Sequence, residues 1–126
     1  MSAATDRLLA EARRRLGRRP GPDDLPALVD EGALVVDIRP AADRATHGEL
    51  PGALVVERNV LEWRLDPTGD HRVPELEGPD QVVVLVCNEG YASSLAASVL
   101  RDVGLARATD LDGGYLAWAA TAPDEG

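Results

Sequence analysis

Lysine and phenylalanine are absent from this chain of 126 residues, cysteine occurs once, and aromatic residues make up only 3% of it. Without phenylalanine a core must be assembled from Leu, Val and Ala, with Trp63, Tyr91, Tyr115 and Trp118 as its few large pieces. A single cysteine, Cys87, excludes an internal disulfide and a cysteine-based zinc site, and makes a reducing cytoplasm the expected compartment. The longest apolar run, residues 82–87, is strand-sized and far short of the roughly 20 residues of a membrane-spanning helix. The opening residues show no apolar signal segment. His47 and His71 lack metal-ligand spacing to each other or to Cys87, so no metal site is expected.

What is present describes one soluble globular domain: 44% hydrophobic residues, 28% charged, and a length that can bury a single core. Thirteen arginines against 22 acids leave a net charge of -9, which argues against nucleic acid or an anionic membrane as partner. The charge is uneven. Residues 1–19 hold six arginines against two acids, net +4, and the remainder holds seven arginines against 20 acids, net -13.

Thr5 can cap a first helix in which Leu8, Leu9, Ala12 and Leu16 recur at helical spacing, with arginines on the other face. Two readings suit those arginines: a docking arm for an acidic partner or for the protein's own acidic body, or a plain solvated face. Charge runs of this length favour the solvated face. Gly17 and the Pro20-Gly-Pro22 turn separate residues 1–21, an arginine-rich helix and linker, from a domain over residues 22–122, with a tail at 123–126.

Within that domain, continuous apolar and β-branched runs at 33–37, 53–56, 81–86 and, more weakly, 108–111 read as strands covered on both faces. Helical patterns lie at 23–29, 40–46, 59–65, 93–103 and 115–121, and the alternation predicts an α/β fold with a mainly parallel sheet. Ligands of such sheets bind beyond the strand carboxyl ends, which singles out Asp37-Ile-Arg39, Glu57-Arg58-Asn59 and Cys87. The long loop 66–80, rich in Pro, Gly and acids, is expected near a binding mouth.

The most informative stretch is Val82-Val-Val-Leu-Val-Cys87-Asn-Glu-Gly90-Tyr-Ala-Ser93. A strand delivers one sulfur to its carboxyl end, a glycine turn follows, and a helix starts near Ser93. Unpaired N–H groups and the helix dipole converge there on an anion, and a thiol so placed ionises more readily to the nucleophilic thiolate. Buried strand-end cysteines can also be inert packing, but the glycine and the helix start favour chemistry.

This loop resembles the Cys-x-x-Gly active-site loop of the single-domain rhodanese-like sulfurtransferases. Three further segments agree in order: Asp37-Ile-Arg39 with the family's Asp-x-Arg, Gly48-Glu-Leu-Pro51-Gly52-Ala53 with its Gly-His-Ile-Pro-Gly-Ala, and Gly113-Gly114-Tyr115-Leu-Ala-Trp118 with its closing Gly-Gly-aromatic motif. The resemblance implies a three-layer rhodanese-like α/β domain, its central sheet mainly parallel and flanked by helices. It also implies a sulfur relay in which Cys87 takes sulfane sulfur from a thiosulfate- or persulfide-type donor, small molecule or protein, and passes it to a thiol or cyanide. By the same analogy the amides of Asn88, Glu89, Gly90, Tyr91, Ala92 and Ser93 hold the outer sulfur, Arg58 and Arg64 supply positive charge at the mouth, and Asp37 and Arg39 are structural support. The family often carries Arg where this chain has Ala92 and a basic residue where it has Asn88, and Glu89 adds a negative charge. Weak thiosulfate activity is therefore expected, and the rival reading is a catalytically silent rhodanese-like binding or regulatory module. A Cys-x5-Arg phosphatase or arsenate reductase would need Arg at position 93, where the residue is Ser93.

Overall fold

The structure, a computed structural model, describes residues 3–121; the expected 123–126 tail lies outside them. Four strands, β1 (Leu34–Asp37), β2 (Leu54–Val55), β3 (Val83–Val86) and β4 (Ala108–Asp110), form one sheet in the order β2-β1-β3-β4, every pair parallel. Among the described residues six α-helices accompany it: α1 (Ala4–Leu16), α2 (Leu25–Asp30), α3 (Ala41–His47), α4 (Leu61–Arg64), α5 (Ala92–Val103) and α6 (Gly114–Thr121). The three-layer α/β expectation is the fold observed.

Side chains alternate across a strand, so each apolar run feeds two cores. Val36, Val83 and Leu85 face one side and pack with Leu16 of α1, Leu61 of α4 and Ala96, Ala97 and Leu100 of α5. Val35, Val84 and Val86 face the other and pack with Leu25 of α2, Tyr115 of α6 and Leu111, the residue after β4. The connection after β1 leads to one edge of the sheet and that after β3 to the other. A crevice therefore opens between the carboxyl ends of β1 and β3.

Several sequence expectations are corrected. Thr5 lies inside α1 rather than at its cap; Asp6 instead reaches back to the Ala3 N–H at 3.3 Å. The loop after α4 does not border the crevice. It must carry the chain back to the amino end of β3, and buried Val73 and Leu76 pin it to the core on the way. Its residues Glu77–Gln81 line a cavity of about 400 Å³ beside the start of β1 and β3, remote from Cys87. Trp63 and Tyr91, expected among the large pieces of the core, are 61% and 56% exposed.

The arginine-rich helix is the largest revision, because it is docked rather than solvated. α1 packs along α5, with Ala12 and Leu16 buried, so the boundary at residue 21 separates motifs and not cores. Arg15 forks onto Asp102 at 3.1 and 2.5 Å and also donates to the Ser98 carbonyl, while Arg101 donates to the carbonyls of Arg15 and Leu16. A helix lying against an acidic body offers its arginines partners that linear sequence does not show.

Asp37 ends β1 fully buried, and Arg39 meets it with Nε at 3.0 Å and Nη2 at 2.7 Å. The same guanidinium donates to the Gly48 carbonyl and lies 3.9 Å over the Tyr115 ring. Breaking a buried pair from one side strands the other charge, so Arg39→Ala should lower the free energy of unfolding by about 3–5 kcal/mol, read by urea denaturation. The hydrogen bond from Arg15 holds the Asp102 carboxyl below the usual carboxylate range. A depressed folded-state value stabilises above the unfolded value and is lost as pH falls through the folded one. The protection factors of the α1 amides, corrected for intrinsic exchange at each pH, should therefore fall on acidification below about pH 4 in the wild type, and Asp102→Asn should flatten that dependence.

Candidate active site

Cys87 is the residue after β3 and turns its sulfur into the crevice. The Gly90 N–H points at Sγ at 3.1 Å and the Ser93 N–H at 3.4 Å. The backbone N–H groups of Asn88, Glu89, Tyr91 and Ala92 have no hydrogen-bond acceptor among the described residues. Gly90 stands at φ +89°, in the left-handed region that side chains avoid, and a Cβ there would lie 3.0 Å from the Gly113 nitrogen. α5 begins at Ala92, so Ser93 is an inner residue of its first turn and not the cap.

The Gly-Gly motif explains how the loop is held. Tyr115 and Leu116, at the start of α6, donate their N–H groups to the carbonyls of Cys87 at 2.8 Å and Asn88 at 3.1 Å. The chain can approach that closely only because Gly114 has no side chain; a Cβ would sit 2.6 Å from the Cys87 oxygen.

Beneath the loop lies a network that sequence reading missed. Asp110, the last residue of β4, is fully buried and receives the Ser93 hydroxyl at 2.7 Å, the Ser94 hydroxyl at 2.8 Å, Arg19 Nε at 2.7 Å and Arg19 Nη2 at 3.0 Å. The Gly90 carbonyl accepts Arg13 Nη2 at 2.8 Å and Arg19 Nη2 at 3.2 Å. Burial opposes the Arg19 charge, but the hydrogen bonds to Asp110 and the charges of Asp110, Asp112 and Cys87 outweigh it and raise its pKa above the ordinary arginine value. The strand-end rule that picked out Cys87 applies equally to Asp110, which was the available signal; nothing local marks Arg13 and Arg19 as its partners.

In front of the sulfur is an open cavity of about 380 Å³, walled by Ile38, Arg39, Asp43, Arg58, Glu89 and Tyr91 among others. Of the expected site residues, Cys87, Asn88, Glu89, Tyr91, Ala92, Arg39 and Arg58 line it. Arg58 is tied to Glu62 at 2.8 Å. Arg64 is not in this wall; it donates to the His71 carbonyl at 2.8 Å, because the short helix α4 turns it toward the following loop. Asp37 stays beneath, bound to Arg39. The buried Asn88 Oδ1 and Arg39 Nη1 have no partner among the described residues. No group of three or more His, Cys, Asp or Glu side chains among the described residues is arranged to hold a metal.

A strand-end thiol facing free amides at the start of a helix, at the switch point of a parallel sheet, is an arrangement suited to a cysteine nucleophile in an α/β protein. The family described as the Rhodanese-like domain matches residues 21–121. The thiosulfate sulfurtransferase GlpE of Pseudomonas fluorescens (strain SBW25) is 33% identical over 111 residues, covering 86% of this chain and 90% of that protein. Among solved structures, a Rhodopseudomonas palustris protein of unknown function, described as a possible tyrosine phosphatase, superposes with a TM-score of 0.82 at 29% identity, over 99% of this chain and 96% of that one. The human single-domain sulfurtransferase superposes with a TM-score of 0.65 at 25% identity, over 85% of this chain and all of that one, a coverage of 100%. The chain belongs to the rhodanese-like domain family.

Gly114→Ala should force the loop carbonyls away from α6 and cost about 1–3 kcal/mol of stability, measured by denaturant unfolding. It should also slow alkylation of Cys87, because the N–H groups facing its sulfur would lose their alignment.

Proposed function

We propose that this protein transfers sulfane sulfur through a persulfide on Cys87, and that its donor is a persulfide rather than thiosulfate. The observation that carries this reading is the sulfur itself, which accepts N–H groups from Gly90 and Ser93 and opens onto a cavity. In the first half-reaction the Cys87 thiolate attacks the outer sulfur of R–S–S⁻. The S–S bond breaks, R–S⁻ departs with its electron pair, and Cys87 carries the outer sulfur as its own persulfide anion. The free amides of Asn88, Glu89, Tyr91 and Ala92 are the groups placed to receive that anion. An acceptor thiolate or cyanide then attacks the outer sulfur and regenerates the Cys87 thiolate. Atoms and electrons balance without metal or redox cofactor.

Charge at the mouth decides between donors. Thiosulfate is a dianion, and Asp43 and Glu89 share the cavity wall with Arg58, which is already paired with Glu62. The charge of Arg39 is balanced by Asp37, although its Nη1 is without a partner among the described residues. Glu89 is exposed, so its repulsion is screened to about a kcal/mol, enough to favour a neutral or monoanionic persulfide by severalfold. Phosphatase chemistry lacks its guanidinium, since position 93 is Ser93.

Intact mass after exposure to thiosulfate or to a low-molecular-weight persulfide tests the proposal, with Cys87→Ser as control. A cyanide-labile gain of one sulfur from the persulfide, absent in the variant, is expected. No gain from either donor would leave a silent binding module. Glu89→Arg should raise kcat/KM for thiosulfate by about three- to tenfold.

A further inference from the structure

Cys87 Sγ lies 3.1 Å from Ser93 Oγ, and Ser93 Oγ lies 2.7 Å from Asp110 Oδ2. A serine hydroxyl has one proton. While it points to Asp110, its oxygen can only accept, which suits a protonated thiol and opposes a sulfur anion. To serve the anion, Ser93 must turn that proton from the carboxylate to sulfur. Asp110 is fully buried, and an uncompensated carboxylate there would both hold the Ser93 proton and repel negative charge on the adjacent sulfur.

Arg19 removes both obstacles. Its side chain is only 10% exposed, and it grips both oxygens of Asp110, at 2.7 Å on Oδ1 and 3.0 Å on Oδ2. The Ser94 hydroxyl adds a further donor at 2.8 Å, and its proton is available because the Gly90 carbonyl is already served by Arg13 and Arg19. With those bonds in place, Asp110 can lose the Ser93 proton and remain satisfied. Arg13 is bonded to the Gly90 carbonyl and Ser94 Oγ, exposed Asp112 accepts Arg19 Nη1 at 3.1 Å, and Arg39, Asp43, Arg58 and Glu89 face the sulfur from the cavity side; none of these hydrogen-bonds Asp110. Both Arg13 and Arg19 precede the residues matched by the family, which begin at 21.

We propose that Arg19 is a positioning residue of the active site: by neutralising buried Asp110 it releases the Ser93 proton to the Cys87 sulfur anion, so that the N-terminal segment supplies from behind the cation the loop lacks. The inference rests on Cys87 being the nucleophile. It does not depend on which donor is used.

The test is a mutant cycle of Arg19→Gln, Asp110→Asn and the double variant, with Arg14→Gln as a charge control from the exposed side of α1. The readout is the iodoacetamide alkylation rate of Cys87 from about pH 6 to 9, on proteins whose fold is checked by circular dichroism. Arg19→Gln should slow alkylation at pH 7 by about five- to tenfold and move the pH profile to the alkaline side. Adding Asp110→Asn should bring the rate back to within about twofold of wild type, which a merely structural loss would not do. Arg14→Gln should match wild type. An unchanged rate in Arg19→Gln, or a loss that Asp110→Asn fails to restore, would overturn the proposal. Should Arg19→Gln not fold, the single variant Asp110→Asn decides: with no carboxylate behind Ser93, Cys87 should be alkylated at least as fast as in the wild type, and a slowing beyond about threefold would equally overturn the proposal. Because alkylation needs no sulfur donor, an intact cycle in a protein that accepts no sulfur would refute the transfer function alone.

Discussion

A carboxylate with no access to water sits behind the reactive sulfur, and much of the active-site half of the molecule is arranged around its compensation. Asp110 ends the last strand of the sheet, and its four donors come from two serines of α5 and from Arg19 ahead of the domain's first motif. Leaving such a group unpaired would cost several kcal/mol, so strand, helix and N-terminal segment are held in one relationship. The Gly90 carbonyl joins the same assembly through Arg13 and Arg19. The loop that faces the cavity is thus fastened from below by ions and from the side by the N–H groups of α6.

The site consequently has two electrical faces. Behind the loop, Arg13 and Arg19 are half-buried and hydrogen-bonded to Gly90, Ser94 and Asp110; in front, Asp43 and Glu89 share an open wall with an arginine that already has a carboxylate partner. A cation behind the sulfur stabilises an anion on it without attracting a dianion to the mouth. This division separates the reactivity of the thiol from the choice of donor.

A second buried pair, Asp37 with Arg39, plays the corresponding part at the end of β1. Its guanidinium holds the Gly48 carbonyl and stacks on Tyr115, whose hydroxyl donates to the His47 carbonyl at 2.7 Å. The two walls of the crevice are therefore each set by an ion pair at a strand end, with Tyr115 and its neighbouring glycines linking them.

Local pattern was enough for the strands and helices, because uninterrupted Val and Leu runs have few homes other than a sheet covered on both faces. It was also enough for Cys87 and Gly90, since a strand, a sulfur, a glycine and a helix start are contiguous in the chain. Contiguity failed for the rest. Arg13 and Arg19 lie more than 70 residues from the groups they hold, with separations of 77 to Gly90 and 91 to Asp110. Arg64 looked equivalent to Arg58, yet a turn of a four-residue helix sends one to a loop carbonyl and leaves the other in the cavity. Hydrophobic periodicity is a property of neighbouring residues and can be read along the chain. The pairing of buried charges depends on which distant atoms the packed core brings within 3 Å, and only the folded arrangement decides that.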